Sequence, residues 1–131
     1  MFKEFEIRTK ERTDFIEITN KIKEIVRQSA IKNGIVTIFI PHTTAGVTIN
    51  EHADPDVIDD LKEYFEKLVP KNNAFKHSEG NSDAHIKASI IGSSVQVLLN
   101  QGELCLGTWQ GIFFCEFDGP RKRKVYMMIK G

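Results

Sequence analysis

Apolar positions recur along this chain at two spacings, and the changes from one spacing to the other mark out its elements. Residues 2 to 9 and 13 to 18 alternate weakly, with Phe2, Ile7, Phe15 and Ile16 as the apolar members, and predict edge or surface strands. Thr19 or Asn20 can then cap a helix in which Ile22, Ile25, Val26 and Ala30 fall at helical spacing, and Asn33-Gly34 offers a left-handed stop. Residues 35 to 40, IVTIFI, are all β-branched or aromatic and predict the strongest strand, ended by Pro41. A further strand over 45 to 51 precedes Asp54-Pro55-Asp56, which combines a capping residue, a first-turn proline and a first-turn acid. The helix it starts carries Val57, Ile58, Leu61, Phe65 and Leu68 as its expected buried stripe and ends at Pro70.

From 70 to about 82 the chain is polar, a long connection for a compact domain unless it has a function. Ser82 or Asp83 can cap a short helix running to Gly92. SVQVLLNQGELCLG then reads as strand, turn and strand, followed by WQGIFFCEFD and KVYMMIK as two more strands. Strands outnumber helices without strict alternation. The expected class is therefore α+β with a mostly antiparallel sheet, in preference to a doubly wound parallel fold, in a single domain over 1–131.

Composition narrows the function. Eighteen basic residues balance eighteen acidic ones, so no net field recruits nucleic acid or an anionic membrane. The N-terminal MFKEFEIRTKER resembles no signal peptide and no run of about 18 apolar residues occurs, so a soluble cytoplasmic protein is expected. Cys105 and Cys115 lie in apolar strand-like sequence without CxxC spacing and read as buried thiols.

Parity then separates polar residues that point inward from those that do not. Glu51 shares a face with Val47 and Ile49, which places a carboxylate in need of a partner at the core-side end of its strand, unless it bends out to solvent where the strand ends; His52 has the outward parity. His42 is in phase with Val36, Ile38 and Ile40 and is followed by the small residues of Thr43-Thr44-Ala45-Gly46. His77 and His85, eight apart with Glu79 and Asp83 between them, lack HExxH spacing, but a loop could fold one histidine onto the other at a helix start. Imidazoles with carboxylates suit zinc or a similar divalent ion; a polar connection that merely contains histidines is the competing reading. On WQGIFFCEFD both faces are largely apolar, so both should be covered, and Glu116 is a second inward acid needing a partner. Arg121-Lys122-Arg123-Lys124 reads as a solvated turn, with anion binding as the alternative.

HTTAGVTINEHADPDVIDDL, HSEGNSDAHIKASIIGSS and LGTWQGIFFCEFDGPRKRKV resemble, in order and separation, the three signature blocks of the YjbQ family, across residues 3 to 130. The resemblance implies a compact α+β domain, a mostly antiparallel β sandwich with helices packed on the sheet, that assembles as a homotrimer with pockets near subunit boundaries. It also implies a secondary thiamine-phosphate synthase activity, which joins a hydroxymethylpyrimidine diphosphate to a thiazole phosphate and releases pyrophosphate. The family pattern falls on His42, Thr43, Thr44, Ala45, Asn50, Glu51, Asp54, His77, Asn81, His85, Trp109, Gln110 and Glu116. Many members carry a longer acidic EGDDN-type stretch where this chain has Glu79-Gly80-Asn81-Ser82-Asp83, which shifts the metal expectation onto the histidines.

The resulting expectation is a metal-assisted enzyme acting on phosphorylated metabolites. His42, His77 and His85 hold a divalent ion, most simply zinc. Glu51 serves as general base or fourth contact, and Glu116 or Asp83 fixes an imidazole tautomer. Thr43, Thr44, Asn50, Asn81, Trp109 and Gln110 bind substrate, with Trp109 stacked on the pyrimidine. The same residues would also serve a trimeric binding protein for a phosphorylated small molecule, or a metal-dependent hydrolase.

Overall fold

The computed structural model describes residues 1–71 and 74–131; residues 72 and 73, inside the expected long loop, lie outside the described residues. The chain runs β1 (Phe2–Arg8), β2 (Asp14–Glu17), α1 (Thr19–Ser29), β3 (Gly34–Phe39), β4 (Ala45–Glu51), α2 (Pro55–Leu68), α3 (Ser82–Ile91), β5 (Ser94–Asn100), β6 (Glu103–Leu104), β7 (Gln110–Glu116) and β8 (Lys122–Lys130). One sheet has the order β1-β8-β3-β5-β6 and the other β2-β7-β4. Their paired strands are antiparallel. The α+β class with antiparallel strands expected from the spacing of apolar residues, and the sandwich that the family resemblance implied, are both observed.

The three-stranded sheet is the middle layer. On one side Val47, Ile112 and Phe114 meet Val36, Ile38, Val97, Val125 and Met127 of the larger sheet, and α1 adds Ile22, Ile25 and Val26 to this core. On the other side Phe15, Phe113, Cys115 and Phe117 pack against Phe65 of α2 and Ala84 and Ala88 of α3. Both faces of β7 are therefore covered within one chain, which is why the sequence shows no polar alternation there. Cys115 is buried as expected, whereas Cys105 is exposed beside the short β6.

Local chemistry sets several boundaries. Asp54 caps α2 by accepting from Asp56 N–H at 2.9 Å, with Pro55 in the first turn. Leu68, assigned to the buried stripe, is 52 % exposed, because the helix ends there and Val69 turns inward in its place. Thr19 does not cap α1. Its hydroxyl donates to Glu17 Oε2 at 2.8 Å and accepts from Ile112 N–H at 2.8 Å, linking the helix start to β7. The helix then stops earlier than Asn33-Gly34, at Ala30 in the left-handed region.

The largest departure concerns the basic run. β8 begins at Lys122, two residues before the expected strand, and its alternation puts Arg123 in line with Val125, Met127 and Ile129 on the buried face. Arg123 is 4 % exposed and Glu116 is fully buried, and they pair as guanidinium and carboxylate, with Nε on Oε1 at 2.8 Å and Nη2 on Oε2. Thr9 Oγ1 donates to Glu116 Oε1 at 2.8 Å and Asp118 N–H to Oε2 at 3.0 Å, while Arg123 Nη2 also donates to Thr44 Oγ1 at 2.7 Å. The ion pair thus joins the two sheets and anchors the segment after β3. Gly119 must be glycine beside it, since a Cβ there would lie 2.3 Å from the Glu11 carbonyl oxygen and 2.9 Å from Glu116 Cγ.

Removing one partner of such a pair leaves the other charge buried and unmatched. Glu116→Gln is expected to lower unfolding stability by about 3–5 kcal/mol, read from the urea midpoint, whereas Glu116→Leu with Arg123→Met should recover most of that loss. A single variant with an unshifted midpoint would contradict the assignment.

Candidate functional site

The end of the sandwich that holds the ion pair carries a cavity of about 430 Å3. Its lining includes His42, Thr43, His77, Asn81, His85 and Arg121, drawn from the segment after β3, the loop before α3, the first turns of α3 and the turn before β8. A second cavity of about 480 Å3 adjoins it and shares His42, Thr43 and His85. The long polar connection does fold His77 back onto α3: the His77 and His85 rings stand edge to face with centroids 5.3 Å apart.

Each ring has a distinct setting. His42 Nε2 accepts the Lys124 backbone N–H at 2.9 Å, which leaves the ring proton on Nδ1 while the imidazole is neutral. Burial, with Arg123 as the next cause, holds His42 below its ordinary value of 6.5, so it is neutral at pH 7. His77 Nε2 lies 3.9 Å from Glu79 Oε1. Arg121 rests on Asp118, donating from Nε to the carbonyl at 2.9 Å and from Nη2 to Oδ2 at 3.1 Å. Asn81 Nδ2 donates to the same Oδ2 at 2.9 Å, but its Oδ1 is buried without a partner, so one acceptor in the wall awaits a donor.

Three imidazoles near a carboxylate are the donor types zinc takes. They do not form a closed coordination set: among the described residues no group of three or more His, Cys, Asp or Glu is placed to hold an ion. His77 and His85 are the pair around which such a set would gather, and His42 would first have to release the Lys124 amide.

The other expected site residues go elsewhere. Asp83 touches no imidazole: both its oxygens accept from Arg12 at 3.0 Å, and Lys87 Nζ lies 3.2 Å from Oδ2. Lys87, fully buried, also donates to Glu66 Oε1 at 2.9 Å, so this network ties α3 to α2 and to the β1–β2 connection. Glu116 does not orient a ring either, because Arg123, Thr9 and Asp118 N–H occupy its oxygens; it holds Arg123, which in turn holds Thr44.

Glu51 lies at the far end of β4 from Ala45, six residues or about 20 Å away along the strand. It is half-buried rather than core-facing and accepts from Ala53 N–H at 3.0 Å, because the strand ends at an open edge of the sandwich. Asn50, Trp109 and Gln110 share that end: Asn50 pairs with Gly111 and Glu51 with Gln110 across β4 and β7. Gln110 Oε1 accepts from Gly107 N–H at 2.8 Å and closes the turn that presents Trp109, which is 63 % exposed. His52 is outward, as its parity implied, with Nδ1 3.0 Å from Glu17 Oε2. One chain therefore holds two separate clusters of the signature residues.

Sequence reading missed Asp118, the burial of Arg123 and the Arg12–Asp83–Lys87–Glu66 network, and held Arg121 only in the alternative, anion-binding reading of the basic run. Two signals were available. Extending β8 back by two residues puts Arg123 in phase with the core, and Ala84, Lys87, Ala88 and Ile91 fall at helical spacing.

A family model described as UPF0047 protein YjbQ-like matches residues 3–131. The UPF0047 protein of Methanocaldococcus jannaschii is 50 % identical over 131 residues, covering all of this chain and 95 % of its own. YugU of Bacillus subtilis is 46 % identical with full coverage of both chains. The crystal structure of a YjbQ/UPF0047 protein from Clostridium acetobutylicum superposes with a TM-score of 0.95 at 52 % identity, covering 98 % of this chain and 99 % of that one. A YbjQ-like protein from Sulfolobus solfataricus, described as being of unknown function, gives 0.94 at 32 % identity over 98 % of this chain and 95 % of its own.

The buried network makes acid stability depend on two carboxyls. Burial would raise Asp83 and Glu66, but hydrogen bonds from Arg12 and Lys87 to the one, and from Lys87 and Thr13 to the other, hold them below their ordinary 3.8 and 4.5. Carboxyls lowered in the folded state add stability that is complete above their unfolded values and is lost as pH falls towards the folded ones. Denaturant midpoints measured from about pH 6 to 2 should therefore fall more gently in Lys87→Met than in the parent. Parallel acid limbs would contradict the role given to Lys87.

Proposed function

The chain belongs to the UPF0047 YjbQ-like family, and on that premise we propose that it is an enzyme acting on phosphorylated small molecules, through a thiamine-phosphate synthase-like transfer. The observation that supports this most is the meeting of His42, His77 and His85 with Arg121 and Thr43 in one cavity beside the start of α3. Arg121 can exchange the Asp118 carboxylate for a phosphoryl oxygen at small cost, because it is exposed and already held at the cavity rim. The Thr43 hydroxyl and the imidazoles offer further donors, and the unpartnered Asn81 Oδ1 accepts from a hydroxyl, an amino group or a bound water. With pyrophosphate as leaving group, the C–O bond of the pyrimidine diphosphate breaks as the thiazole nitrogen bonds to carbon, and the charge that departs stays beside the Arg121 guanidinium.

Zinc bound through His77 and His85, with His42 as third donor, would supply Lewis-acid polarisation of a phosphoryl oxygen. The assembly we propose is a homotrimer. The outer face of the larger sheet supports it, since Phe2, Ile35, Phe39, Leu98 and Met128 stand exposed on adjacent strands, an apolar surface of the kind that marks an interface. We propose further that the Glu51–Trp109 end of one protomer meets the histidine cavity of the next, where Trp109 can stack on the substrate ring. A trimeric binding protein is the second reading, and the saturation of Glu116 favours it, because Arg123, Thr9 and the Asp118 amide occupy the oxygens of the carboxylate expected to act beside the histidines.

Elemental analysis and pyrophosphate release from the two phosphorylated heterocycles should give stoichiometric zinc and turnover in the parent, with both lost in His85→Ala. A retained anion without turnover of either substrate would support the binding protein instead. His85→Ala and Trp109→Ala chains refolded together should regain about one quarter of parental turnover if each site takes one cluster from each of two neighbours in a mixed trimer. No recovery in mixed trimers would exclude the shared site.

A further inference from the structure

A smaller cavity, about 180 Å3, lies between the second half of α1 and the β5–β6 turn. It sits at the Gly34 end of β3, whereas His42 follows the opposite end of that strand. Its walls bring Lys23, Arg27 and Lys32 together against one acid, Glu103. The chain as a whole is neutral, so this is a local excess of positive charge.

The arrangement is unfavourable as it stands. Lys23 and Arg27 are one helical turn apart on α1, a spacing at which like charges repel. Among the described residues, no ion pair joins any of the three cations to Glu103 or to another acid. The turn opposite is costly as well: Gln101 has φ 53° and Gly102 φ 81°, left-handed values that asparagine and glycine adopt more readily than glutamine. It is nevertheless pinned, Gly102 N–H donating to the Lys32 carbonyl at 2.8 Å and Gln101 N–H to Asn33 Oδ1 at 3.1 Å. The Lys32 side chain lies across it, so that a Cβ on Gly102 would meet Lys32 Nζ at 3.3 Å. Three exposed cations without an ion-pair partner and a pinned turn that carries an amide side chain border one concave space.

We infer that this cavity is a second anion site, separate from the histidine cavity, that binds a diphosphate group. Its volume equals about six water molecules at roughly 30 Å3 each, room for two phosphoryl units and a bridging water. Lys23, Arg27 and Lys32 neutralise the ligand, the Gln101 side-chain amide donates to it, and binding removes the repulsion along α1. Glu103 sets a limit, disfavouring a ligand that extends along the hairpin.

Amide NMR titration with inorganic diphosphate at constant ionic strength, on the parent and on His85→Ala, tests the site. Saturable shifts at Gln101, Gly102 and Lys32 are expected in both proteins, and at least tenfold weaker binding in Arg27→Gln/Lys32→Gln. Lys23→Gln, a single exposed change, provides a second variant with the same expected direction. A parallel titration with adenosine diphosphate distinguishes the source of the group. Saturation at similar concentrations means that the diphosphate end of a larger molecule is accepted, and saturation by the inorganic ion alone means that the free ion is the ligand. The inference is overturned if these amides do not saturate below about 10 mM, if sodium chloride reproduces the shifts, or if the double variant binds as the parent does.

Discussion

The Glu116–Arg123 pair is the constraint on which the arrangement of this molecule depends. It sits where the last turn of β7 meets the first of β8, and so joins the two sheets at one end of the core. Two buried charges are tolerable only if their remaining hydrogen-bonding capacity is met, and here Thr9, Thr44 and the Asp118 amide meet it. Those partners come from the end of β1, the start of β4 and the turn before β8. Satisfying one ion pair therefore fixes the positions of three connections, and two of them form walls of the histidine cavity.

Placement of the cavity follows from this. His42 is held because its segment is tied through Thr44 to Arg123 on one side and through Lys124 N–H on the other. α3 is held by a different set of charges, with Asp83 and Lys87 bound to Arg12 and Glu66. Backbone contact adds to it: Gly46 N-terminal to Val47 packs so closely on α3 that a Cβ would lie 2.4 Å from the Gly92 carbonyl oxygen. Asp83 and Glu116, two of the acids that sequence placed beside the histidines, thus fix the scaffold, and the polar groups that line the cavity include the imidazoles, Arg121, Thr43, Asn81 and the exposed Glu79.

Much of the fold was legible because it rests on spacing. The β3 run, the Asp54-Pro55-Asp56 helix start and the doubly apolar β7 each express one local or two-sided burial rule, and each came out where the pattern put it. The errors occurred where a charged residue occupied a buried position. Lys87 and Arg123 are in phase with the core, but a cation reads as solvent-facing until its partner is known, and those partners, Glu66 and Glu116, come from other elements. Parity also misplaced Glu51: it gives the face of a strand, and says nothing of whether the sandwich is still closed at the strand's end.

The sequence by itself determined the class of fold, the element order, the family and the residue types of the site, since each is a property of spacing or of motifs read along one chain. It also indicated that the loop carrying His77 must return to the start of the following helix. Tertiary structure alone decided which of these residues meet. It separated the histidine cluster from the Glu51–Trp109 cluster by the length of β4, matched Asp83 with Arg12 and Glu116 with Arg123, and left Arg121 and Asn81 at the cavity. The physical reason is that a buried charge is decided by its partner, and the partners here are 7 and 71 residues away along the chain. Only the folded chain sets which groups come close enough to pair.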